Sequence, residues 1–149
     1  MPEQRIVVLV GLPGSGKSTW VANQGGVAIS SDELRLWLRD DPADQTVHAL
    51  VFRLMRDFVR HRIALGAPVT YVDATNLTAK HRRPFIKIAE HSGCQCEAVF
   101  FDVPIDECLR RNALRSRQVP EEAIRAMAGR LQPPAEAEGF VSVTALRFA

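Results

Sequence analysis

A chain of 149 residues has the length of one domain and can bury a substantial core. Its 46% hydrophobic and 24% charged content is ordinary for a globular protein, and a net charge of +2 with a pI near 8.6 is too mild to make the whole surface a nucleic-acid footprint, so any basic site must be local. No apolar run approaches the ~20 residues of a membrane span, and the opening "MPEQRIVVLVGLPG" lacks a small-residue cleavage site, so a cytoplasmic protein without membrane attachment is expected.

Arg5 to Val10 ("RIVVLV") is a continuous β-branched run, the pattern of a strand buried on both faces. A glycine loop follows, and Gly16 to about Asn23 reads as helix. "GVAIS", Gly26 to Ser30, reads as a second strand. From Asp44 to Leu65, Val47, Leu50, Val51, Leu54 and Phe58 fall at helical spacing, with Arg53, Arg56, Arg60 and Arg62 mostly off that stripe. Gly66-Ala67-Pro68 ends the helix. "VTYVDATN", Val69 to Asn76, is a third strand, and Thr78 can cap a helix running to about His91. "CEAVFFDV", Cys96 to Val103, is a fourth strand. Pro104 to about Arg115 is helix, and Pro120 opens another to about Leu131. "FVSVTALRF", Phe140 to Phe148, is the last strand. Strands and helices alternate without a repeat or an evident boundary, so residues 1–149 are expected to form one α/β domain. The expected architecture is a three-layer fold, a five-stranded parallel sheet with helices on both faces. Ligands of such sheets sit at the carboxyl ends of the strands. Cys94, Cys96 and Cys108 have no partner set with zinc spacing and read as reduced thiols.

Gly11-x4-Gly16-Lys17-Ser18 has the Walker A pattern between a strand and a helix. Gly11, Gly14 and Gly16 let the backbone wrap phosphates, and the N–H groups of Ser15 to Thr19 can point inward. Lys17 is placed for the β- and γ-phosphates and Ser18 for Mg²⁺. A nucleoside triphosphate and Mg²⁺ are therefore the expected ligand and metal, with the choice between adenine and guanine left open. In "SSDELR", Asp32 follows the second strand and can take a proton from an acceptor hydroxyl. Arg35 lies three residues on, placed to hold an anionic group of the acceptor. Ser31 or Asp32 could equally cap a helix. Asp73, ending "YVD", can orient Mg²⁺ through water or touch the acceptor; turn hydrogen bonds with Thr75 or Asn76 are the plainer role. In "LRRNALRSRQVP", Arg111 and Arg115 share one helix face and Arg110 and Arg117 another. Such a stretch, residues 110–120, suits a lid that neutralises a phosphoryl group in transfer. "KHRRPFIK", Lys80 to Lys87, is a solvated helix face or a contact for a nucleic-acid backbone.

The glycine loop, "SSDELR", "VDATN" and "RRNALRSRQVP" together resemble the kinase domain of the polynucleotide 5′-kinase family, among the adenylate-kinase-like P-loop phosphotransferases. The resemblance spans nearly the whole chain. It implies that Asp32 is the general base towards a 5′-hydroxyl and that Arg35 contacts the acceptor's nearby phosphate. Arg111 and Arg115 would engage the ATP phosphates, Arg115 and Lys17 stabilising the transition state, and Asp73 would lie in the active site. Some members carry a fused phosphatase, ligase or hydrolase, for which this chain has no room. The leading expectation is γ-phosphate transfer to the 5′-OH end of DNA or RNA. A small-molecule kinase acting on a sugar acid, nucleoside or other polyol would use the same parts, and a nucleotide-dependent binding module would need neither Asp32 nor Arg35. Nothing in the sequence calls for an obligate protein partner.

Overall fold

The computed structural model describes residues 3–148. Strands β1 (Arg5–Val10), β2 (Val27–Ser30), β3 (Val69–Asp73), β4 (Gln95–Asp102) and β5 (Ser142–Arg147) form one parallel sheet in the spatial order β2-β3-β1-β4-β5. Parallel neighbours need long crossovers. These are α1 (Lys17–Ala22), α2 (Ser31–Arg39), α3 (His48–Ala64), α4 (Ala79–Ser92), α5 (Ile105–Ala113) and α6 (Glu121–Arg130). The chain moves outward from β1 to β2 on one side, returns to β3, and crosses β1 to reach β4 on the other. The loop after β1 therefore opens at the middle of the sheet, flanked by the ends of β3 and β4.

β1 is continuously apolar because its side chains alternate between two cores. Ile6, Val8 and Val10 pack with Leu34 of α2, Val51, Met55 and Val59 of α3, and Phe85 and Ile86 of α4. Val7 and Leu9 face the other way, with Tyr71, Val99, Phe101 and Val21. There Trp20 of α1 meets Tyr71 and Phe101 edge-on, with ring centroids 5.8 Å apart in each pair. A third cluster of Leu12, Leu77 and Cys108 seats α5 and α6 above the strand ends, with Met127 and Leu131 against it.

Three sequence expectations shift. The long helix begins at His48, after a 3-10 turn at Gln45–Val47 that Asp44 caps through Thr46 N. Its buried seam is Val51, Met55 and Val59, while Phe58 is exposed. The helix has turned that seam onto α4, α2 and the β2–β3 side of the sheet, so the tertiary contact sets its rotation. β3 stops at Asp73, and Ala74 to Asn76 leave the ladder.

The third shift concerns the basic stretch Lys80 to Lys87. Lys80, Arg83 and Lys87 are exposed, but Arg82 is 0% exposed. Its Nε and Nη2 donate to the two oxygens of Glu138 at 2.9 Å each, and Nη1 donates to the Asn76 carbonyl at 2.8 Å. That planar fork satisfies a buried charge, which an isolated cation there would not tolerate. Arg82 thus ties α4 to the loop after β3 and to the segment before β5. Removing one partner of a buried pair leaves the other uncompensated. Arg82→Ala is expected to lower stability by about 3–5 kcal/mol, read as a lower urea midpoint with little change in the denaturant slope.

Candidate functional site

The glycine loop has the geometry its spacing requires. Gly14 and Gly16 adopt φ of +83° and +99°, a region that disfavours side chains. A Cβ on Gly14 would also lie 2.6 Å from the Cys108 carbonyl oxygen, and one on Gly11 would lie 2.6 Å from Ser15 Oγ. Ser15 Oγ is buried without a hydrogen-bond partner. Lys17 Nζ turns into the loop and donates to the carbonyls of Gly11 and Leu12 at 2.9 Å each. Its burial pulls the ammonium pKa down to about 8, against the nearby carboxylates Asp73 and Asp32, which favour the charge. An unpartnered hydroxyl, a cation gripped only by carbonyls and a side-chain-free cradle fit a chain of phosphates.

Ser18 Oγ donates to Asp73 Oδ2 at 2.9 Å. Burial raises the Asp73 pKa, and Lys17 opposes that rise. No hydrogen bond joins the Asp73 side chain to Thr75 or Asn76 among the described residues, so the plainer turn role falls away. A hydroxyl and a carboxylate side by side at the loop mouth are hard oxygen donors of the kind Mg²⁺ takes, with phosphates and waters completing its shell.

β2 and β3 pair in register so that Ser30 lies opposite Asp73. This brings Asp32 beside the glycine loop. The cap of α2 is neither Ser31 nor Asp32 but Ser30, whose Oγ accepts from Glu33 N at 3.2 Å. Asp32 is thereby released from capping. Its Oδ1 accepts from Arg35 Nη1 at 3.3 Å and its Oδ2 from Arg117 Nη2 at 3.0 Å. The Asp32 side chain remains 52% exposed, whereas Arg35 is only 5% exposed.

The arginine stretch divides differently from its helical-wheel reading. α5 ends at Ala113, so the i, i+4 relation does not carry Arg115 along with Arg111. Arg111 Nε donates to Glu107 at 3.0 Å, its Nη1 reaches the Gly14 carbonyl at 3.4 Å, and its guanidinium lies 5.3 Å over the Phe148 ring. Arg110 is pinned to Glu107, and these two arginines, Arg110 first, hold that carboxyl well below the usual range. Arg115 is exposed, and its charge lies close enough to Lys17 to disfavour the ammonium. The residue that reaches Asp32 is Arg117. Its part was not legible from spacing, because it lies past the helix end in a turn. That turn is closed by Asn112, whose Nδ2 donates to the Val119 carbonyl at 2.7 Å and whose Oδ1 accepts from Val119 N at 2.9 Å. Thr19 follows Ser18 on α1 and is exposed. Of the tryptophans, Trp20 packs in the second core, while Trp37 is 69% exposed on α2.

A five-stranded parallel sheet flanked by helices, with a glycine loop leaving its central strand, defines a P-loop kinase-like protein. The chain belongs to the AAA_33 family of AAA domains, whose pattern matches residues 6–134. Over 154 residues it is 27% identical to the bifunctional polynucleotide phosphatase/kinase of Schizosaccharomyces pombe (strain 972 / ATCC 24843), covering 97% of this chain and 34% of that protein. The chain therefore spans about a third of that relative's length. Its fold is also similar to a chain of the Pnkp1/Rnl/Hen1 RNA repair complex, with a TM-score of 0.75 and 21% identity over 89% of this chain and 45% of that one. A second solved structure is the Mycobacterium tuberculosis APS kinase CysC in complex with AMPPNP and APS, with a TM-score of 0.62 and 22% identity over 97% and 90% of the two chains.

Lys17 has a measurable consequence for stability. Its pKa is about 8 in the folded chain and 10.5 for an unperturbed lysine. Between those values the unfolded chain binds the additional proton, so this group makes stability rise with pH across that window. Below it, the cost of burying the charge is present in full. The free protein is expected to gain on the order of 3 kcal/mol from Lys17 over the whole window. Urea unfolding at pH 7.5 and pH 10 checks this: the wild type should gain relative to Lys17→Met as pH rises, and a constant difference would contradict it.

Proposed function

We propose that this protein is an ATP- and Mg²⁺-dependent kinase that transfers the γ-phosphate to the 5′-OH end of a DNA or RNA strand. The observation that carries the reading is the register of Ser30 against Asp73, which sets the half-exposed Asp32 beside the Ser18–Asp73 pair and the buried Lys17. A protein that only bound nucleotide would have no need of a second carboxylate held there by two arginines. The named activity of the S. pombe relative, which aligns across nearly all of this chain, supports the polynucleotide acceptor.

In this reading the acceptor oxygen attacks the γ-phosphorus, the bond from that phosphorus to the β,γ-bridging oxygen breaks, and ADP leaves. Asp32 receives the hydroxyl proton. Lys17 exchanges its two loop carbonyls for β- and γ-phosphate oxygens, and the backbone N–H groups of Gly14 to Thr19 cradle the chain. Ser18 and Asp73 would hold Mg²⁺, whose charge would offset that of the phosphates. Arg117 yields its place on Asp32 Oδ2 to the incoming hydroxyl. Arg111 and Arg115 face the phosphates from the lid, with Arg115 near the charge that spreads during transfer. Arg35 holds an anionic group on the acceptor.

One observation favours a second reading. Arg35 is almost enclosed, and an enclosed cation suits the single anionic group of a small polyol or nucleoside acceptor. Labelled ATP offered to 5′-OH oligonucleotides and, separately, to small polyols and sugar acids separates the two. Label only on a small molecule overturns the polynucleotide reading. Asp32→Ala is expected to reduce transfer by about 10²–10⁴-fold while ATP binding, followed by calorimetry, changes little. Transfer at a near wild-type rate would remove Asp32 as the base.

A further inference from the structure

Arg35 is buried and yet incompletely used. Its Nη1 is on Asp32 at 3.3 Å and its Nη2 is 3.4 Å from His48 Nδ1, while Nε is buried with no partner. A guanidinium is planar and rigid, so two fixed ends fix its plane and the direction of the third N–H. His48 is the first residue of α3, exposed to solvent, and its ring lies 4.7 Å from that of Phe52 one turn along. The imidazole therefore has a packed orientation and covers the arginine from outside.

Arg35 can only donate. The contact at Nδ1 thus requires a lone pair there, which fixes the neutral tautomer with its proton on Nε2. Protonation would remove that lone pair and leave two cations in contact.

From this geometry we infer that His48 is the positioning residue for Arg35: its neutral imidazole sets the plane of the guanidinium against Asp32, and with it the direction from which Arg35 meets an anionic group of the acceptor. His48 thereby makes acceptor engagement dependent on pH. The inference rests on the phosphotransfer reading for its substrate and on the contact alone for its structure.

The charges around His48 point the same way. Burial and then Arg35 of α2 hold its pKa below the ordinary histidine value. His81, near the start of α4, is lowered by burial and then by His48, Arg130, Lys80 and Arg82. On the other side, burial lowers the Arg35 pKa and Arg117 adds to that, while Asp32 and, from the turn before α3, Asp44 favour its charge. The imidazole is bordered by cations, and its acceptor role is the one these surroundings favour. As pH falls below the His48 pKa, the contact is lost and Arg35 is released from its set direction.

The test uses the full chain. The acceptor KM of the wild type is expected to rise about tenfold between pH 7.5 and pH 5.5, the size of a lost hydrogen bond to a charged group, with the ATP KM little changed. His48→Ala should show the raised acceptor KM already at pH 7.5. His48→Asn, whose amide oxygen accepts at the Nδ1 position and does not titrate, should recover most of that loss and remove the acid rise. An acid rise that persists in His48→Asn, or an acceptor KM that falls with acid, overturns the inference. A second measurement needs no substrate. The Arg35 Nε–Hε resonance should follow a single titration below the ordinary histidine range in the wild type and stay fixed in His48→Asn. An Arg35 signal indifferent to pH in the wild type defeats the positioning role even if phosphotransfer is found. If that titration is present while no acceptor is phosphorylated, the functional reading fails instead.

Discussion

A buried asparagine clasp holds the upper edge of the sheet in place. Asn76 sits at φ +47°, a conformation that asparagine tolerates better than most residues. Its side-chain amide donates to the Leu9 carbonyl at 2.7 Å, and its own carbonyl accepts from Arg82. One residue earlier, the Thr75 carbonyl accepts from Gly11 N at 3.1 Å. The end of β1 and the end of β3 are thus stitched together where both stop being strands. Arg82 passes the restraint to Glu138, which also accepts from Ala135 N at 2.9 Å. The spacing of Ser18 and Asp73 follows from this clasp, since Ser18 lies in the first turn of α1, just past the loop after β1, and Asp73 closes β3.

On that frame the site carries cations with too little to hold. Lys17 leans on two carbonyls, and Arg35 is buried with its Nε idle. Arg117 is spent on Asp32, and Arg111 on Glu107 and the face of Phe148. Each arrangement keeps a charge tolerable at the expense of its desolvation. A polyanion entering the loop would replace weak partners by strong ones without building new structure. The depressed pKa of Lys17 has the same origin: the folded chain buries a charge that its two loop carbonyls satisfy only weakly.

The fold was legible because its signals are local and redundant. β-branched runs, a glycine loop and helices opened by Thr78 and Pro120 each identified an element independently, and crossover rules then left few arrangements. The glycine loop, Asp32 and Asp73 were legible for a related reason: they lie at strand ends, and parallel strands bring their ends together. What failed was anything depending on rotation about an axis or on structure past a helix end. The α3 seam turned from Phe58 to Met55 and Val59 because contact with α4 and the sheet, which spacing along the helix does not carry, sets its rotation. Arg82 read as surface because its partner, Glu138, is 56 residues away with no periodic relation to it. Arg117 was assigned a helix face although α5 had already ended at Ala113. Ser30 took the cap expected of Ser31 or Asp32, a change of one or two residues that decides whether the carboxylate is free.

On the proposed reading, the arginine stretch at residues 110–120 would link the donor and acceptor sides by covalent geometry. Arg111 lies on the last turns of α5, and Arg115 and Arg117 follow within the turn that Asn112 closes on Val119. Gln118 adds a bond from its amide to the Ala113 carbonyl at 3.0 Å. A turn so held changes shape less readily than it changes position. Freeing Asp32 therefore asks either for a new rotamer of Arg117 alone or for a movement of the whole hairpin about the apolar seat formed by Leu12, Leu77 and Cys108. The second route carries Arg111 and Arg115 along with Arg117. A phosphate chain that draws Arg111 from the Gly14 carbonyl would then also draw Arg117 from Asp32. If the protein is the proposed kinase, nucleotide in the loop and a freed Asp32 would arise from one displacement, an order of events in which the carboxylate would meet a hydroxyl only when there is a phosphate to transfer.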